Sequence, residues 1–327
     1  MIRVAIGYVL SLALCAALMP LVISRLSRSH AGQPILGYVE NHKGKSGTPT
    51  MGGCGFLIAA ALPYAFLVRG DISESLVCLI VAAGYGTIGF IDDGIKVSSG
   101  ENKGLSAGWK LLLQLLVACA VSAYAFFGRA DGGVINLPFT DKPVDLSYFA
   151  LPYYVFVFLA FTNSVNLTDG LDGLAAGVTE VFLFCFAALL FVCSSMSPTE
   201  GELNELLLIL CFAGALAGFL CYNRFPAKVF MGDTGSLSLG GLLASLSVLT
   251  GRGLSAAVIG VMYVASALSV IVQVACYKLT KKRVFLMAPL HHHFERRGVH
   301  ENRIVAAYTA VTSVAGVTTV ALTAFFV

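Results

Sequence analysis

The sequence predicts an all-α integral membrane protein that crosses the bilayer about ten times and forms one transmembrane domain, residues 1–327. Two observations indicate this class, and a third argues against a nucleic-acid-binding protein. Hydrophobic residues make up 57% of the chain and charged residues 12%, about half the roughly 25% that is usual in soluble proteins. The apolar residues are grouped into runs of about 20, the length that a helix needs to cross the hydrocarbon core. The net charge of +3 is too small to indicate nucleic acid as a partner.

Ten apolar runs are the predicted spans. They lie at 4–23, 52–69, 74–91, 109–127, 148–164, 173–194, 204–222, 236–251, 254–280 and 304–326. The first run leads into a polar loop without a convincing cleavage site, so a span is favoured over a signal peptide. The ninth run is longer than a straight crossing needs, and we expect it to be tilted or broken.

The distribution of positive charge predicts the orientation. Sixteen of the 21 lysines and arginines lie in or beside the loops that follow the odd-numbered spans. Cytoplasmic loops carry an excess of these residues, so we expect those five loops in the cytoplasm and both termini outside. Among the outside segments, residues 132–146 alternate around a Thr-Asp-Lys-Pro turn, which predicts a small extracytoplasmic hairpin.

Five aspartates lie on the predicted cytoplasmic side, each at or beside the end of a span. They are Asp92, Asp93, Asp169, Asp172 and Asp233. Ionisable groups at such depths are costly and usually functional, although any one of them could instead cap a helix. Asp92 and Asp93 are adjacent and repel each other, so a cation is needed nearby to keep both ionised. Mg²⁺ suits this position, because it takes one or two carboxylates and leaves other positions for phosphate oxygens.

Two further segments carry polar groups at helix ends. In NSVNLTDGLDGLAAG, residues 163–177, Asp169 and Asp172 are three positions apart, so on a helix they would share a face, and Asn166 would lie one turn earlier. In FMGDTGSLSLGG, residues 230–241, Asp233 lies where a helix N-terminus would present free N–H groups. An aspartate there can cap the helix, hold a metal, or do both.

The segment GKSGTPTMGG, residues 44–53, superficially suggests a phosphate-binding loop. It is not a Walker A motif, because the first glycine would fall at Val39 and no strand precedes it. Lys45 and Thr50 still provide a basic and a hydroxyl group at the start of span two. The alternative is an ordinary cytoplasmic turn with lysines of the positive-inside kind.

The segment APLHHHFERRG, residues 288–298, carries three consecutive histidines. On a helix, consecutive residues point about 100° apart, which makes a poor tripod for one metal ion. Phosphate or sugar binding, or orientation of an acid–base partner, is therefore favoured over a zinc site.

Aspartates, lysines and histidines thus converge on one membrane face. These side chains are the kinds needed for Mg²⁺-assisted phosphoryl transfer in which one substrate is soluble in lipid. A secondary transporter of an anionic solute is the alternative from another class, but it predicts functional charges near mid-span, where only Glu180 is found. A scaffold without an active site would leave the five aspartates unexplained.

Five motifs occur together and in order: GTPTMGG, FIDDGIKV, NSVNLTDGLDGLAAG, FMGDTGSLSLGG and APLHHHFERRG. With them the chain resembles the phospho-N-acetylmuramoyl-pentapeptide transferases, a family of the polyprenyl-phosphate N-acetylhexosamine-1-phosphate transferase superfamily. The aspartate motifs mark the superfamily, and the HHHFE run favours this family over a sister enzyme that uses UDP-GlcNAc.

The resemblance implies a reaction in the bacterial cytoplasmic membrane. UDP-MurNAc-pentapeptide would give its phospho-sugar to undecaprenyl phosphate, which forms lipid I and releases UMP in the first membrane step of peptidoglycan synthesis. It also implies Mg²⁺ as cofactor, a homodimer, and inhibition by uridine-containing nucleoside antibiotics.

The resemblance also implies roles for individual residues. The catalytic residues would be Asp92, Asp93, Asp233, His291 and His292. The substrate-binding residues would be Lys45, Thr50, Lys96, Lys103, Asn166, Asp169, Gly170, Leu171, Asp172, Asn223, Phe230, His293 and Arg297. Asp233 would bind the metal, with Asp92 and Asp93 as further candidates. Asp92 is either a base for the lipid phosphate or a covalent nucleophile; we favour the base, since that phosphate is already a competent nucleophile. Phe230 would stack on uracil, and Arg297 would lie towards the peptide.

Overall fold

The structure, a computed structural model, describes residues 1–28, 47–100, 103–129 and 131–327. Its helices are α1 (Ile2–Arg28), α2 (Gly53–Leu67), α3 (Ser73–Ser99), α4 (Ala107–Phe127), α5 (Ala150–Thr168), α6 (Leu174–Cys193), α7 (Glu200–Asn223), α8 (Gly232–Leu249), α9 (Gly253–Ile259), α10 (Val261–Thr280), α11 (Leu290–Arg296) and α12 (Glu301–Phe326). Two short strands, β1 (Val134–Asn136) and β2 (Pro143–Asp145), form the only sheet in this part of the chain.

Each of the ten predicted spans corresponds to a helix or, for the ninth, to a pair of helices. Within the described residues, eight helices are long and apolar enough to cross a membrane. The other two are α2, with 15 residues, and α8, whose serines and glycines lower its apolar character. The predicted class, an all-α protein with many membrane spans, is confirmed.

The ninth run is broken, as its length suggested. Gly260 separates α9 from α10, and its N–H still bonds to the carbonyl of Ala256 at 2.8 Å. The predicted hairpin also forms: β1 and β2 pair antiparallel, with Ile135 opposite Val144. The break at Gly260 and the hairpin lie outside the segments that carry the five aspartates of the predicted cytoplasmic side.

Helix α8 lies at the centre of the molecule and packs on α3 and α5. Its residues from Thr234 to Leu249 are all buried. The approach to α3 is close because Gly89 has no side chain; a Cβ there would overlap the backbone carbonyl of Asp233. The first turn of α8 therefore packs against the last three turns of α3, which brings Asp92 and Asp93 to Asp233.

Candidate active site

Three carboxylates form the centre of the site. Asp92, Asp93 and Asp233 each offer an oxygen atom, and these atoms all lie within 4.8 Å of one another. Asp92 is 2% exposed and Asp93 is fully buried, whereas Asp233 is partly exposed. The two sequence motifs, about 140 positions apart, thus meet at one point because α3 and α8 pack side by side.

Asp93 is held by the first turn of α8. Its Oδ1 accepts a hydrogen bond from the N–H of Asp233 at 3.1 Å. Its Oδ2 accepts from the N–H of Thr234 at 2.9 Å and from the Thr234 hydroxyl at 2.7 Å. Gly232 lies beside this carboxylate with a φ of +73°, and a Cβ there would overlap Asp93 Oδ2. Three of the roughly four acceptor positions of the Asp93 carboxylate are therefore occupied.

Two lysines lie between the other two carboxylates. Lys96 Nζ is 2.6 Å from Asp92 Oδ2 and 2.7 Å from Asp233 Oδ2. Lys110 Nζ is 2.8 Å from Asp233 Oδ2 and 3.8 Å from Asp92 Oδ2. Two ammonium groups against three ionised carboxylates leave one negative charge, so the cluster can accept a further cation without becoming strongly positive.

Neutral groups fix the remaining oxygens. Asn166 Nδ2 donates to Asp233 Oδ1 at 2.6 Å and also lies 2.9 Å from Ser236 Oγ. The backbone N–H of Leu105 donates to Asp92 Oδ1 at 2.8 Å. Each carboxylate thus has a defined orientation, which is the condition for a preorganised metal or phosphate site.

The donor set fits a metal ion that prefers oxygen ligands. Asp92 Oδ2 and Asp233 Oδ2 both point at Lys96 Nζ, so they face the same small volume. Carboxylate oxygens are the protein ligands that Mg²⁺ uses in phosphoryl-transfer sites. Asp93 has the least acceptor capacity left, which makes Asp92 and Asp233 the better candidate ligands.

The loop between α5 and α6 is joined to the loop between α7 and α8. Asn223 is buried; its Oδ1 accepts from the N–H of Gly173 at 3.2 Å, and its Nδ2 donates to the carbonyl of Val229 at 2.9 Å. Asp172 Oδ2 accepts from the N–H of Ala227 at 2.9 Å. The two loops that carry the predicted nucleoside residues are therefore joined by hydrogen bonds, and Leu171, Asp172 and Asn223 are buried there.

The GTPTMGG segment runs along the other side of the same loop. The N–H of Phe230 donates to the carbonyl of Pro49 at 2.8 Å, and the N–H of Gly52 donates to the carbonyl of Phe230 at 2.9 Å. Thr50 is 1% exposed, and its hydroxyl has no hydrogen-bond partner among the described residues. Phe230 is half-buried. Lys45, the other predicted residue of this segment, lies outside the described residues.

The three histidines of α11 have three different environments. His291 is fully buried, and neither ring nitrogen has a hydrogen-bond partner among the described residues. His292 Nδ1 lies 2.8 Å from Glu295 Oε2. His293 Nδ1 accepts from the N–H of Leu286 at 3.1 Å. This divergence matches the angular spacing of consecutive helical residues and argues against one metal ion shared by all three.

Gly170 connects the histidines to the loop between α5 and α6. A Cβ at Gly170 would overlap the ring of His291 and would also lie 3.1 Å from His292 Nε2. The rings of His291 and His292 are 4.3 Å apart, centroid to centroid. The motif Asp169–Asp172 is thus packed on the histidine helix. The predicted residues Lys103 and Arg297 are exposed, at the connection before α4 and at the end of α11.

Lys110 is the main group that the sequence motifs did not identify. It lies in the first turns of α4, which Ser106 caps by accepting from the N–H of Trp109 at 3.4 Å. In the sequence, Lys110 is one lysine near the end of a span, which is what the positive-inside distribution would place there anyway. Its closeness to Asp233 could only be inferred from how α4 packs near α3 and α8.

The burial of His291 has a measurable consequence for pH dependence. Burial lowers the pKa of His291 from 6.5 to about 3, and the charge of the neighbouring His292 contributes a smaller part of this decrease. Between pH 6.5 and about 3, His291 therefore binds a proton in the unfolded chain but not in the folded protein. The free energy of unfolding should fall as pH decreases through this range, by up to about 1.4 kcal/mol per pH unit. Melting temperatures in detergent between pH 7.5 and 5 should fall less steeply for His291→Asn than for the wild type. Parallel curves would contradict this assignment.

A methyl group at Gly170 should disturb the contact with the histidine helix. Gly170→Ala should lower the free energy of unfolding by about 1–3 kcal/mol, as overpacking does, and reduce turnover with it. The matched control is Gly84→Ala in α3, where an added Cβ meets no atom within 4 Å. Melting temperatures of both variants test this: equal values for Gly170→Ala and Gly84→Ala would show that the contact is not tight.

Comparison with known proteins adds independent information. The family model described as glycosyl transferase family 4 matches residues 75–251, which include all five aspartates. The phospho-N-acetylmuramoyl-pentapeptide-transferase of Clostridium novyi (strain NT) is 42% identical over 294 residues, 90% of this chain and 88% of the relative. The protein of the same name from Clostridium perfringens (strain 13 / Type A) is 39% identical over 313 residues, 95% of this chain and 96% of the relative. That from Clostridioides difficile (strain 630) is 40% identical over 300 residues, 90% of each chain.

Proposed function

The chain belongs to the phospho-N-acetylmuramoyl-pentapeptide transferase family, and we propose on this premise that Asp92, Asp233, Lys96 and Lys110 form its phosphoryl-transfer centre. It is a multi-pass protein of a bacterial membrane and a transferase of peptidoglycan synthesis. It transfers phospho-MurNAc-pentapeptide from its UDP-linked donor to a lipid carrier. This assignment rests mainly on Lys96, whose ammonium group contacts the carboxylates of both Asp92 and Asp233.

The reaction makes one P–O bond and breaks another. An oxygen of undecaprenyl phosphate attacks the phosphorus that carries the sugar, and the P–O bond to the UMP phosphate breaks, which gives lipid I and UMP. Lys96 and Lys110 would bind the negative charge of the pyrophosphate, as preorganised cations do in phosphoryl transfer. Mg²⁺, held by Asp233, would neutralise charge on the phosphate oxygens when bound, which keeps Asp92 available as a proton acceptor.

Asp92 is the better candidate for the group that accepts a proton from the lipid phosphate. Its Oδ2 faces the lysines, while Asp93 is turned towards the backbone of α8. No acyl-phosphate intermediate is needed, because the lipid phosphate is itself a competent nucleophile. We therefore favour Asp92 as a base, because direct transfer needs fewer chemical steps than transfer through a covalent intermediate.

The uridine would bind the surface made by the two joined loops. Asn166, Asp169, Gly170, Leu171 and Asp172 supply one side, and Asn223 and Phe230 supply the other. Phe230 is half-buried, and its ring would stack on uracil. Uridine-containing nucleoside antibiotics would occupy this surface and compete with the donor substrate.

The peptide arm of the donor would meet the exposed end of α11. Arg297 is exposed there and carries a charge opposite to that of the peptide carboxylates. Arg297→Ala should mainly raise KM for UDP-MurNAc-pentapeptide, by about tenfold, and leave kcat near the wild-type value, as expected for lost uniform binding. The control is a donor that lacks the peptide. An equal loss with both donors would assign Arg297 to anchoring the loop instead.

Sidedness and assembly follow from the same proposal. The active site lies on the cytoplasmic face, because its residues are at the ends of spans that lead into the loops rich in lysine and arginine. Both termini lie outside. Undecaprenyl phosphate enters from the bilayer, and the working unit is a homodimer. Accessibility of introduced cysteines tests the orientation: labelling of Gly133→Cys from the cytoplasm would contradict it.

The choice of sugar is tested by a competition experiment. Purified protein in detergent receives undecaprenyl phosphate, Mg²⁺ and equal amounts of UDP-MurNAc-pentapeptide and UDP-GlcNAc. We expect consumption of the MurNAc donor alone, with UMP released. Consumption of UDP-GlcNAc would assign the chain to the sister activity and overturn the proposal.

A further inference from the structure

We propose that Asp93 is a positioning residue that fixes the first turn of α8 and thereby the ligand Asp233, rather than a group that reacts with substrate. The proposal rests on the phosphoryl-transfer function proposed above and assigns a separate task to each member of the adjacent aspartate pair. Its basis is the set of hydrogen bonds around the two carboxylates.

The two aspartates face different surroundings although they are neighbours in α3. Asp92 Oδ2 lies 2.6 Å from Lys96 Nζ and 3.8 Å from Lys110 Nζ, so it points to the side-chain cations of the site. Asp93 is fully buried and is 3.9 Å from Lys96 Nζ at its nearest oxygen. A group that must exchange a proton with a lipid phosphate needs access to it, and Asp93 has none in this arrangement.

Asp93 performs for α8 the task of an N-terminal cap, but from another helix. The first N–H groups of a helix have no partner within that helix, and α8 has no cap from the side chain before it. Asp93 accepts from the N–H groups of Asp233 and Thr234 and from the Thr234 hydroxyl. A buried carboxylate with backbone donors at a helix N-terminus is strongly favoured, because the helix dipole adds to charge-assisted bonds.

This cap sets the position of the ligand itself. The N–H that bonds to Asp93 Oδ1 belongs to Asp233, whose own carboxylate carries Lys96 and Lys110. A shift of that turn would move Asp233 away from Asp92 and widen the volume that they share. Partners that orient metal ligands typically contribute about 10- to 100-fold in metal affinity.

The test is metal binding, measured without turnover. Mn²⁺ alone is titrated into the full-length purified protein, and free Mn²⁺ is followed by electron paramagnetic resonance. Asp93→Asn should weaken Mn²⁺ binding about 10- to 100-fold, because an amide can accept on one side only and its NH₂ meets N–H donors on the other. Thr234→Val, which removes only the hydroxyl donor, should weaken it about three- to tenfold, whereas Thr234→Ser should match the wild type.

The double variant separates positioning from direct reaction. Asp93→Asn/Thr234→Val should bind Mn²⁺ as Asp93→Asn does, within about twofold, because both changes remove the same contact. Wild-type Mn²⁺ affinity in Thr234→Val, or additive losses in the double variant, would overturn the proposal. Binding of uridine, which lacks the phosphate, serves as the folding control, and if Asp93→Asn fails to fold, Thr234→Val against Thr234→Ser still decides. Since no turnover is required, failure of the proposed activity would not be mistaken for failure of this inference.

Discussion

Asp233→Asn should reduce turnover by at least about a thousandfold, the largest effect expected of any single substitution in this protein. The change removes the charge that Lys96, Lys110 and a bound metal ion all share, while Asn166 can still donate to the remaining oxygen. Loss of a phosphoryl-transfer metal removes several kcal/mol of transition-state stabilisation, and each 1.36 kcal/mol is about tenfold in rate. UMP release under saturating donor and Mg²⁺ measures it.

The control for this substitution is Asp145→Asn, the same chemical change in strand β2 of the hairpin. Its carboxylate accepts from the nearby backbone N–H of Ser147 at 2.7 Å and lies outside the cluster, so turnover should stay near the wild-type rate. Binding of a uridine-containing antibiotic to Asp233→Asn should largely survive, because the nucleoside surface is made by other loops. Wild-type-like turnover of Asp233→Asn would refute the metal assignment.

Lys110→Met should reduce kcat by about a hundredfold or more. Methionine keeps the length of the side chain but removes the ammonium group that lies 2.8 Å from Asp233 Oδ2. The lost cation would leave the cluster with one positive charge against three negative ones, which repels the pyrophosphate. Removal of one preorganised donor from a transition-state site typically costs about 10²- to 10³-fold in kcat.

Lys142→Met is the matched control, because Lys142 is exposed beside strand β2 and lies outside the cluster. Steady-state kinetics should show a fall in kcat for Lys110→Met and no change for Lys142→Met. If Lys110→Met kept the wild-type kcat and changed only stability, Lys110 would be a structural counter-ion of Asp233 and nothing more.

Much of the fold could be predicted from apolar run length alone, because each span must satisfy its backbone hydrogen bonds within a helix. The break at Gly260 and the hairpin around Asp141 were also visible as an overlong run and as an alternating pattern. The shortness of α2 and the burial of α8 from Thr234 to Leu249 were not visible, since both depend on which helices surround them. A buried helix needs no lipid-facing side chains, so its serines and glycines pack against neighbours instead.

The candidate site could be predicted as a set of residues but not as a geometry. Asp92, Asp93 and Asp233 come together as the motifs suggested. The different surroundings of Asp92 and Asp93 were hidden, because the sequence does not show which one faces the first turn of α8. Lys110 was missed because the sequence does not show that α4 packs near Asp233. The complete burial of His291 depends on the contact of α11 with Gly170, which joins segments about 120 positions apart.

The most direct test measures UMP and the lipid product together. Purified protein receives UDP-MurNAc-pentapeptide, Mg²⁺ and undecaprenyl phosphate, with and without a metal chelator. We expect UMP and lipid I to appear in equal amounts, both to depend on the lipid acceptor, and both to stop when Mg²⁺ is removed. UMP released without the acceptor, or lipid I formed at an undiminished rate in the chelator, would contradict direct transfer at a metal-binding carboxylate centre.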